Sequence, residues 1–172
     1  SEQPVGILTY KPGGIMAAAQ SFKIIVNGKQ SHGSRPWAGI DPIMVSAKII
    51  DGLQTIISRE VNLTEEGAVI TIGKIESGVR SNIIPERAEM IGTIRTLDYD
   101  MQKIINDRMK EMVPAIAKAY RAEATIEIET GYPITFNDLD LTAQMLPSLQ
   151  TAAGKNRVVE IKAITGAEDF SF

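Results

Sequence analysis

Residues 20–130 alternate between two kinds of hydrophobic periodicity, and this order limits the possible folds more than any other feature of the chain. Four segments alternate apolar and polar residues, as half-buried β-strands do, and two longer segments carry apolar residues at helical spacing. The predicted strands are 22–26, 68–75, 88–94 and 124–128. One helix follows the first strand and one the third, so the order β-α-β-β-α-β predicts a ferredoxin-like α+β sandwich, with two helices on one face of a four-stranded antiparallel sheet.

Both predicted helices begin at acidic residues that can accept hydrogen bonds from the free N–H groups of the first turn. The first helix starts at Asp41-Pro42, since proline suits the first helical position, and the second starts at Asp98 or Asp100. Their predicted apolar stripes are Ile43, Ala47, Ile50, Leu53 and Ile57, and Met101, Ile105, Met109, Met112 and Ile116. Pro114 lies inside the second helix and is expected to kink or weaken it locally.

The segments that flank this unit do not follow its pattern. Short strands are predicted at 5–10 and 158–161, and a helix is predicted at 139–153. The chain starts at Ser1 rather than methionine and stops directly after the segment 169–172. We therefore expect a section of a longer protein.

Composition excludes several classes of protein. The chain has 172 residues, of which 44% are hydrophobic and 23% charged, as in ordinary globular proteins. A net charge of -3 gives no basic field for nucleic acid or an anionic membrane, and no apolar run approaches the ~20 residues that span a bilayer. With one histidine and no cysteine, a four-ligand zinc site within the chain is not expected. The lack of cysteine suits a reducing compartment, and we predict a cytoplasmic location.

Three polar residues are candidates for a functional site. His32, in the loop after the first strand, can donate a hydrogen bond, although a solvated surface histidine is an equal alternative. Asn82 has an amide donor and acceptor, and alone it is more typical of a turn. Arg95 ends the third strand, where its guanidinium could bind a carboxylate or form a surface salt bridge. Glu168 and Asp169 could serve a metal or act as a base, but adjacent residues need not share a site.

Seven short motifs, in order along essentially the whole chain, resemble the aminoacylase and hippurate-hydrolase branch of a metallohydrolase family. That family also contains glutamate carboxypeptidases, peptidase T-like enzymes and succinyl-diaminopimelate desuccinylase. The motifs are Gly13-Gly14-Ile15-Met16-Ala17-Ala18-Ala19, Gly28-Lys29-Gln30-Ser31-His32-Gly33 with Pro36, Gly39-Ile40-Asp41-Pro42, Leu53-Gln54 with Arg59-Glu60, Ser81-Asn82-Ile83-Ile84-Pro85, Gly92-Thr93-Ile94-Arg95, and Gly166-Ala167-Glu168-Asp169-Phe170-Ser171-Phe172.

The resemblance implies a two-domain amidohydrolase that cleaves the amide bond of N-acyl amino acids or small peptides. A catalytic domain would bind two divalent metal ions (zinc, manganese or cobalt), and an inserted ferredoxin-like lid would form a homodimer. Residues 17–132 resemble the lid, while 1–16 and 133–172 resemble segments of the catalytic domain. The family's metal ligands have no counterpart in this chain. We therefore expect that the chain alone binds no catalytic metal and hydrolyses nothing.

The same resemblance implies roles for the three candidate residues. His32 would reach into the active site of the neighbouring protomer and donate a hydrogen bond to the substrate carbonyl as an oxyanion develops. Asn82 and Arg95 would hold the free carboxylate of the substrate and so orient the scissile amide. The role of Glu168 and Asp169 stays unassigned.

A non-catalytic module on the same fold is the alternative, either a small-ligand-binding domain or a pure dimerisation domain. An RNA-binding version is disfavoured, because the third strand has no aromatic residue over 89–95 and the net charge is -3. A regulatory domain would leave the presence of residues 133–172 unexplained.

Overall fold

The computed structural model describes residues 4–172, so the first three residues of the predicted 1–16 segment lie outside the described part. In chain order the strands are β1 (Leu8–Tyr10), β2 (Gly13–Met16), β3 (Ala18–Asn27), β4 (Ser31–His32), β5 (Ala68–Ser77), β6 (Ile83–Ile84), β7 (Arg87–Thr96), β8 (Glu123–Thr130), β9 (Thr135–Asn137) and β10 (Val158–Glu160). The α-helices are α1 (Pro42–Thr55), α2 (Tyr99–Ala119) and α3 (Leu139–Ala153). A turn of π-helix, Ile56–Glu60, extends α1.

Four of the strands form one antiparallel sheet in the order β5-β7-β3-β8. The first and third strands of the predicted unit, β3 and β7, are the central pair, while β5 and β8 are the two edges. Helices α1 and α2 follow β3 and β7. This order and these connections are those of the predicted ferredoxin-like sandwich, and the predicted α+β class is confirmed.

The hydrophobic core lies between one face of this sheet and helices α1 and α2. It contains Phe22, Ile24, Val26, Met90, Ile94, Ile49, Leu53, Ile105 and Met109. Each of these side chains is almost fully withdrawn from water, and such burial contributes roughly 1.5–3 kcal/mol per large apolar side chain.

The stripe predicted for α1 is partly correct: Leu53 is buried and Ile50 and Ile57 pack partly buried against the core, whereas Ile43 and Ala47 are exposed. The helix buries Val45, Ile49 and Leu53 against the sheet, whereas Ile43 is 44% exposed. The reason is that α1 is apolar on more than one face, so spacing alone does not identify the side that meets the sheet.

Helix α2 buries Met101, Ile105 and Met109 as predicted, and continues the buried face through Val113. The helix is continuous from Tyr99 to Ala119 with Pro114 inside it, and the expected local kink or weakening at Pro114 stays a prediction.

The opposite face of the sheet is mainly polar, although it also carries apolar side chains such as Val69 and Ile91. Lys23 Nζ lies 3.2 Å from Glu89 Oε2 and Arg87 Nη2 lies 2.7 Å from the same oxygen. The hydrogen bond from Lys23 lowers the pKa of Glu89 below its ordinary value. Neighbouring charges of opposite sign therefore balance one another across the strands on this solvated face.

The flanking segments pair with each other rather than with the four-stranded sheet. β1 and β10 are parallel partners, and β2 and β9 are antiparallel partners. A parallel bridge joins Met16 to Ile164. Helix α3 has the predicted bounds but contains no fully buried residue.

Candidate functional site

The loop that carries His32 is closed at its base. The backbone N–H of Lys29 donates to the carbonyl of Ile40 at 2.9 Å, and the N–H of Ile40 donates back to Lys29 at 3.0 Å. Gly28 is needed at this closure, because a Cβ there would lie 2.2 Å from the carbonyl oxygen of Ile40. The segment is less irregular than the sequence suggested, since it contains strand β4.

Strand β4 brings His32 beside Asn82. Its residue pairs are Ser31 with Ile84 and His32 with Ile83 of β6. The backbone N–H of Gly33 then donates to the carbonyl of Asn82 at 2.7 Å. Two candidate residues that are fifty positions apart in sequence therefore lie on adjacent turns.

We call these two turns, residues 31–36 and 80–84, the tip. In the first turn the N–H of Arg35 donates to the carbonyl of His32 at 2.8 Å, and in the second the N–H of Ile83 donates to Arg80 at 3.3 Å. The side chains of His32 and Asn82 are both exposed. The tip can therefore offer an imidazole and a carboxamide to a molecule outside this chain.

The ring of His32 is held from one side only. Its Nδ1 lies 2.7 Å from the hydroxyl oxygen of Ser34 and accepts a hydrogen bond from the Ser34 backbone N–H at 3.1 Å. Its Nε2 takes part in no hydrogen bond with residues 4–172. That nitrogen is therefore open to a hydrogen-bond partner from outside this part of the chain.

A concave surface of about 660 Å³ adjoins the tip. Its wall includes Asp41, Ile43, Gly78, Val79 and Arg80, from the start of α1 and the loop after β5. Asp41 Oδ1 is occupied there by the backbone N–H of Ile43 at 2.9 Å, since it caps α1. The mixture of apolar and charged groups suits contact with another protein surface.

Arg95 lies at the opposite end of the sheet. It is half-buried on the polar face of β7, level with Ala19 of β3 and Val69 of β5. It borders a cavity of about 400 Å³. The other lining residues are Ala19, Val69, Thr71, Thr93, Tyr132, Thr165, Gly166 and Ala167. Within the described residues no carboxylate forms an ion pair with Arg95, so its guanidinium remains available to an anion.

The strand geometry separates Arg95 from the tip. Arg87, at the tip end of β7, and Arg95 are eight residues apart on one continuous strand, which corresponds to about 27 Å at ~3.4 Å per residue. Asn82 lies beyond Arg87. One chain therefore brings His32 and Asn82 together but does not bring Arg95 to either of them.

Glu168 and Asp169 lie in the C-terminal segment beside Arg95 rather than at the tip. Glu168 accepts a hydrogen bond from the backbone N–H of Asp169 at 3.0 Å and so begins the short helix Asp169–Ser171. Both carboxylates are exposed. In the part of the chain that the structure describes, no three acidic or histidine side chains are placed to hold a metal ion together.

Between residues 4 and 172, no helix combines the length and the apolar composition needed to cross a lipid bilayer. The predicted cytoplasmic location stays a prediction.

Comparison with known proteins places the chain in a family. A family model described as the peptidase dimerisation domain matches residues 18–121, which is more than half of the chain. The chain therefore belongs to the M20 peptidase dimerisation-domain family, as the resemblance predicted, and a dimerisation domain implies self-association.

The relatives in this family are hydrolases. Thermostable carboxypeptidase 2 of Saccharolobus solfataricus is 39% identical over 99% of this chain, which covers 43% of that protein. N-acetyldiaminopimelate deacetylase of Geobacillus sp. is 35% identical over 99% of the chain and 45% of its own length. The chain thus spans less than half the length of the relatives it matches.

Solved structures agree with this assignment. The YXEP protein of Bacillus subtilis, described as a dinuclear metal-binding peptidase of the M20 family, superposes with a TM-score of 0.78 at 28% sequence identity. The match covers 99% of this chain and 41% of that one. The roles of His32, Asn82 and Arg95 stay predictions.

Sequence reasoning missed Ser34 as a contact of His32. The available signal was its position two residues after the histidine, where serine commonly bonds within a turn. It also missed the neighbours of Arg95 from the C-terminal segment, such as Gly166, because nothing local in the sequence shows which segment returns to that strand.

Proposed function

We propose that this chain is the lid and dimerisation section of a metal-dependent hydrolase that cleaves the amide bond of N-acyl amino acids or small peptides. The observation that carries the proposal is the placement of His32 and Asn82 on a joined, exposed tip. An imidazole and a carboxamide presented together suit a polarised carbonyl and its flanking polar groups. The names of the deacetylase and carboxypeptidase relatives support this substrate class.

The proposed active site combines two protomers. Because Arg95 lies about 27 Å along β7 from Arg87, and the tip lies beyond Arg87, Arg95 and the tip cannot hold one small substrate within a single chain. We propose that the tip of one protomer enters the site of its partner, where Nε2–H of His32 donates to the carbonyl oxygen of the scissile amide. Arg95 of the second protomer would hold the substrate carboxylate there.

The proposed dimer surface is the β5 edge of the sheet with the adjoining side of α1. These elements expose four apolar side chains, Ile43 and Met44 on α1, Ile75 on β5 and Val79 beyond it, and Ile43 and Val79 line the same concave surface. We call these four residues the edge patch. The other edge strand, β8, instead exposes Glu123, Thr125, Glu127 and Glu129. Acidic side chains discourage pairing at a sheet edge, so a second copy fits the edge patch.

Residues 4–172 do not fit a dinuclear metal site. The one histidine is at the exposed tip, and the described carboxylates do not converge. We propose that the metal ions of the full-length protein, two in number by analogy with the dinuclear relative, are held by residues outside this chain. The chain then supplies substrate orientation, a hydrogen-bond donor and exclusion of water.

The proposed division into domains follows the pairing of the strands. Residues 17–132 would form the lid, which agrees with the 18–121 match of the family model. Residues 1–16 and 133–172 would belong to the catalytic domain, because their short strands pair with each other outside the lid sheet.

The test is a comparison of wild type and His32→Ala in the full-length protein that carries this chain, loaded with manganese or zinc. We expect wild type to cleave members of a panel of N-acyl amino acids. We expect His32→Ala to lower kcat by about 100-fold, the usual order for removing one oxyanion donor, with unchanged metal content.

Lys118→Ala, an exposed change on α2, is the control and should leave kcat unchanged. Full activity of His32→Ala would refute the proposed role. If wild type cleaves nothing while the 172-residue chain binds a free N-acyl amino acid saturably, the alternative of a small-ligand-binding module is correct.

A further inference from the structure

The ring of His32 has an asymmetric environment that determines which nitrogen carries its proton. The backbone N–H of Ser34 is always a hydrogen-bond donor, and it points at Nδ1 from 3.1 Å. A proton on Nδ1 would therefore face another proton, so Nδ1 must present its lone pair. In the neutral ring the remaining proton is then on Nε2.

The hydroxyl of Ser34 strengthens the same preference. Its oxygen lies 2.7 Å from Nδ1, a short distance for such a pair. Because Nδ1 already acts as an acceptor, the hydroxyl donates its proton to that nitrogen. The backbone N–H and the hydroxyl of one residue thus share a single acceptor.

The turn geometry makes this arrangement local and stable. The N–H of Arg35 donates to the carbonyl of His32 at 2.8 Å, which closes the turn containing Ser34. The N–H of Gly33 is fixed to Asn82 at 2.7 Å. The backbone on both sides of the imidazole is therefore anchored before any substrate binds.

We infer that Ser34 is a positioning residue, which holds His32 in the Nε2–H tautomer with that N–H directed outward. This inference rests on the proposed role of His32, since an oxyanion donor needs its proton on the nitrogen that meets the substrate. Preparing the tautomer in the free protein removes a rearrangement that substrate binding would otherwise have to drive.

The tautomer can be measured directly because His32 is the only histidine in the chain. With ¹⁵N-labelled histidine, two-bond and three-bond ¹H–¹⁵N correlations distinguish protonated from unprotonated ring nitrogens. The measurement is made on the 172-residue chain about two pH units above the ordinary histidine pKa of about 6.5. We expect wild type to be mainly the Nε2–H form.

Substitutions of Ser34 separate the effect of its hydroxyl from the effect of its backbone N–H, which every variant keeps. Ser34→Ala should lower the ratio of the Nε2–H to the Nδ1–H form about fivefold, as expected for loss of one ordinary hydrogen bond, and Ser34→Thr should restore it. Ser81→Ala, on the neighbouring turn, is the matched control and should leave the ratio unchanged. A wild-type ring that is mainly Nδ1–H, or a ratio unaffected by Ser34→Ala, would overturn the inference.

The full-length protein supplies a second readout. Ser34→Ala should lower kcat several-fold while KM changes less than about twofold, and Ser34→Thr should recover most of kcat. Equal losses of kcat in Ser34→Ala and Ser34→Thr would indicate that Ser34 has a merely structural role, and would overturn the inference that it positions His32. Full activity of His32→Ala would instead refute the proposed function, while the tautomer measurement would still decide how Ser34 acts on the ring.

Discussion

Arg95 differs from the other arginine of its strand in one respect that bears on function. Arg87 has a carboxylate partner, Glu89, at 2.7 Å. Arg95 borders a cavity and has no such partner among residues 4–172. A half-buried guanidinium without a counter-ion is suited to an anionic ligand, since its planar donors match a carboxylate.

Arg95→Lys in the full-length protein should therefore raise KM for an N-acyl amino acid by about tenfold or more, because lysine cannot form the two parallel hydrogen bonds of arginine. Arg87→Lys, on the same strand, is the control and should leave KM unchanged. Steady-state kinetics on both variants measure the difference. Equal KM values for the two would show that Arg95 does not bind the substrate.

Single residues also show where sequence reasoning reached its limit. His32 and Asn82 were recognised separately, but their contact depends on β4 and β6, which contribute two residue pairs. Such a short pairing has no periodic signal in the sequence. Asn82 and Arg95 were grouped through the family resemblance, and only the course of β7 shows that one chain keeps them apart.

At Gly92, on the central strand β7, the backbone of the edge strand β5 and the ring of Phe22 on β3 come so close that no side chain fits there. A Cβ at Gly92 would lie 2.2 Å from the carbonyl oxygen of Thr71 and 2.3 Å from Cζ of Phe22. At Gly73, on the edge strand, a Cβ would meet nothing within 4 Å. These two glycines therefore provide a matched test of how tightly the strands pack.

Gly92→Ala should lower the free energy of unfolding by about 3 kcal/mol, because both the backbone and a core ring would have to move. Gly73→Ala should be neutral or should stabilise the chain by less than about 1 kcal/mol. Urea unfolding of the two variants and wild type measures the difference. A cost for Gly73→Ala as large as that for Gly92→Ala would contradict the close approach at Gly92.

The ion pairs on the polar face of the sheet predict part of the way in which the stability of the chain changes in acid. The hydrogen bond from Lys23 lowers the pKa of Glu89 in the folded chain below 4.5. Ionised Glu89 is thus favoured by folding. Its stabilising contribution is complete above its ordinary pKa and is lost as the pH falls through the lowered value.

Glu89→Gln should therefore lose less stability than wild type between pH of about 7 and about 3. The measurement is the urea midpoint of each protein at both pH values. Thr125 lies on β8, at the same face of the sheet as Glu89. Thr125→Ala is the control and should lose as much stability as wild type over this pH range. Identical losses in wild type and Glu89→Gln would show that this ion pair does not contribute to folding.

Whole elements were predicted better than their contacts. The four strands and two helices of the sandwich were recognised because alternation and helical spacing are local properties of the sequence. The buried face of α1 was recognised only in part, since Ile43 and Met44 are as apolar as Val45 and Ile49. Which of them is buried depends on strands that lie elsewhere in the chain.

At the scale of the molecule, the two free edges of the sheet have opposite character. The edge patch beside β5 is apolar, and β8 exposes acidic side chains. Because exposed apolar clusters mark contact surfaces, the patch is the surface that we propose for self-association. A dimer through this edge would also leave the tip, which adjoins Ile43 and Val79, next to the second protomer.

Ile43→Lys should therefore weaken the dimer of the 172-residue chain, raising its dissociation constant by about 100-fold or more, because the charge would be buried without a partner. Ile104→Lys is the matched control, since Ile104 on α2 is 46% exposed and Ile43 is 44% exposed. Sedimentation equilibrium over a range of concentrations measures both. Dissociation by Ile104→Lys but not by Ile43→Lys would place the interface on α2, and the tip would then no longer lie beside the partner.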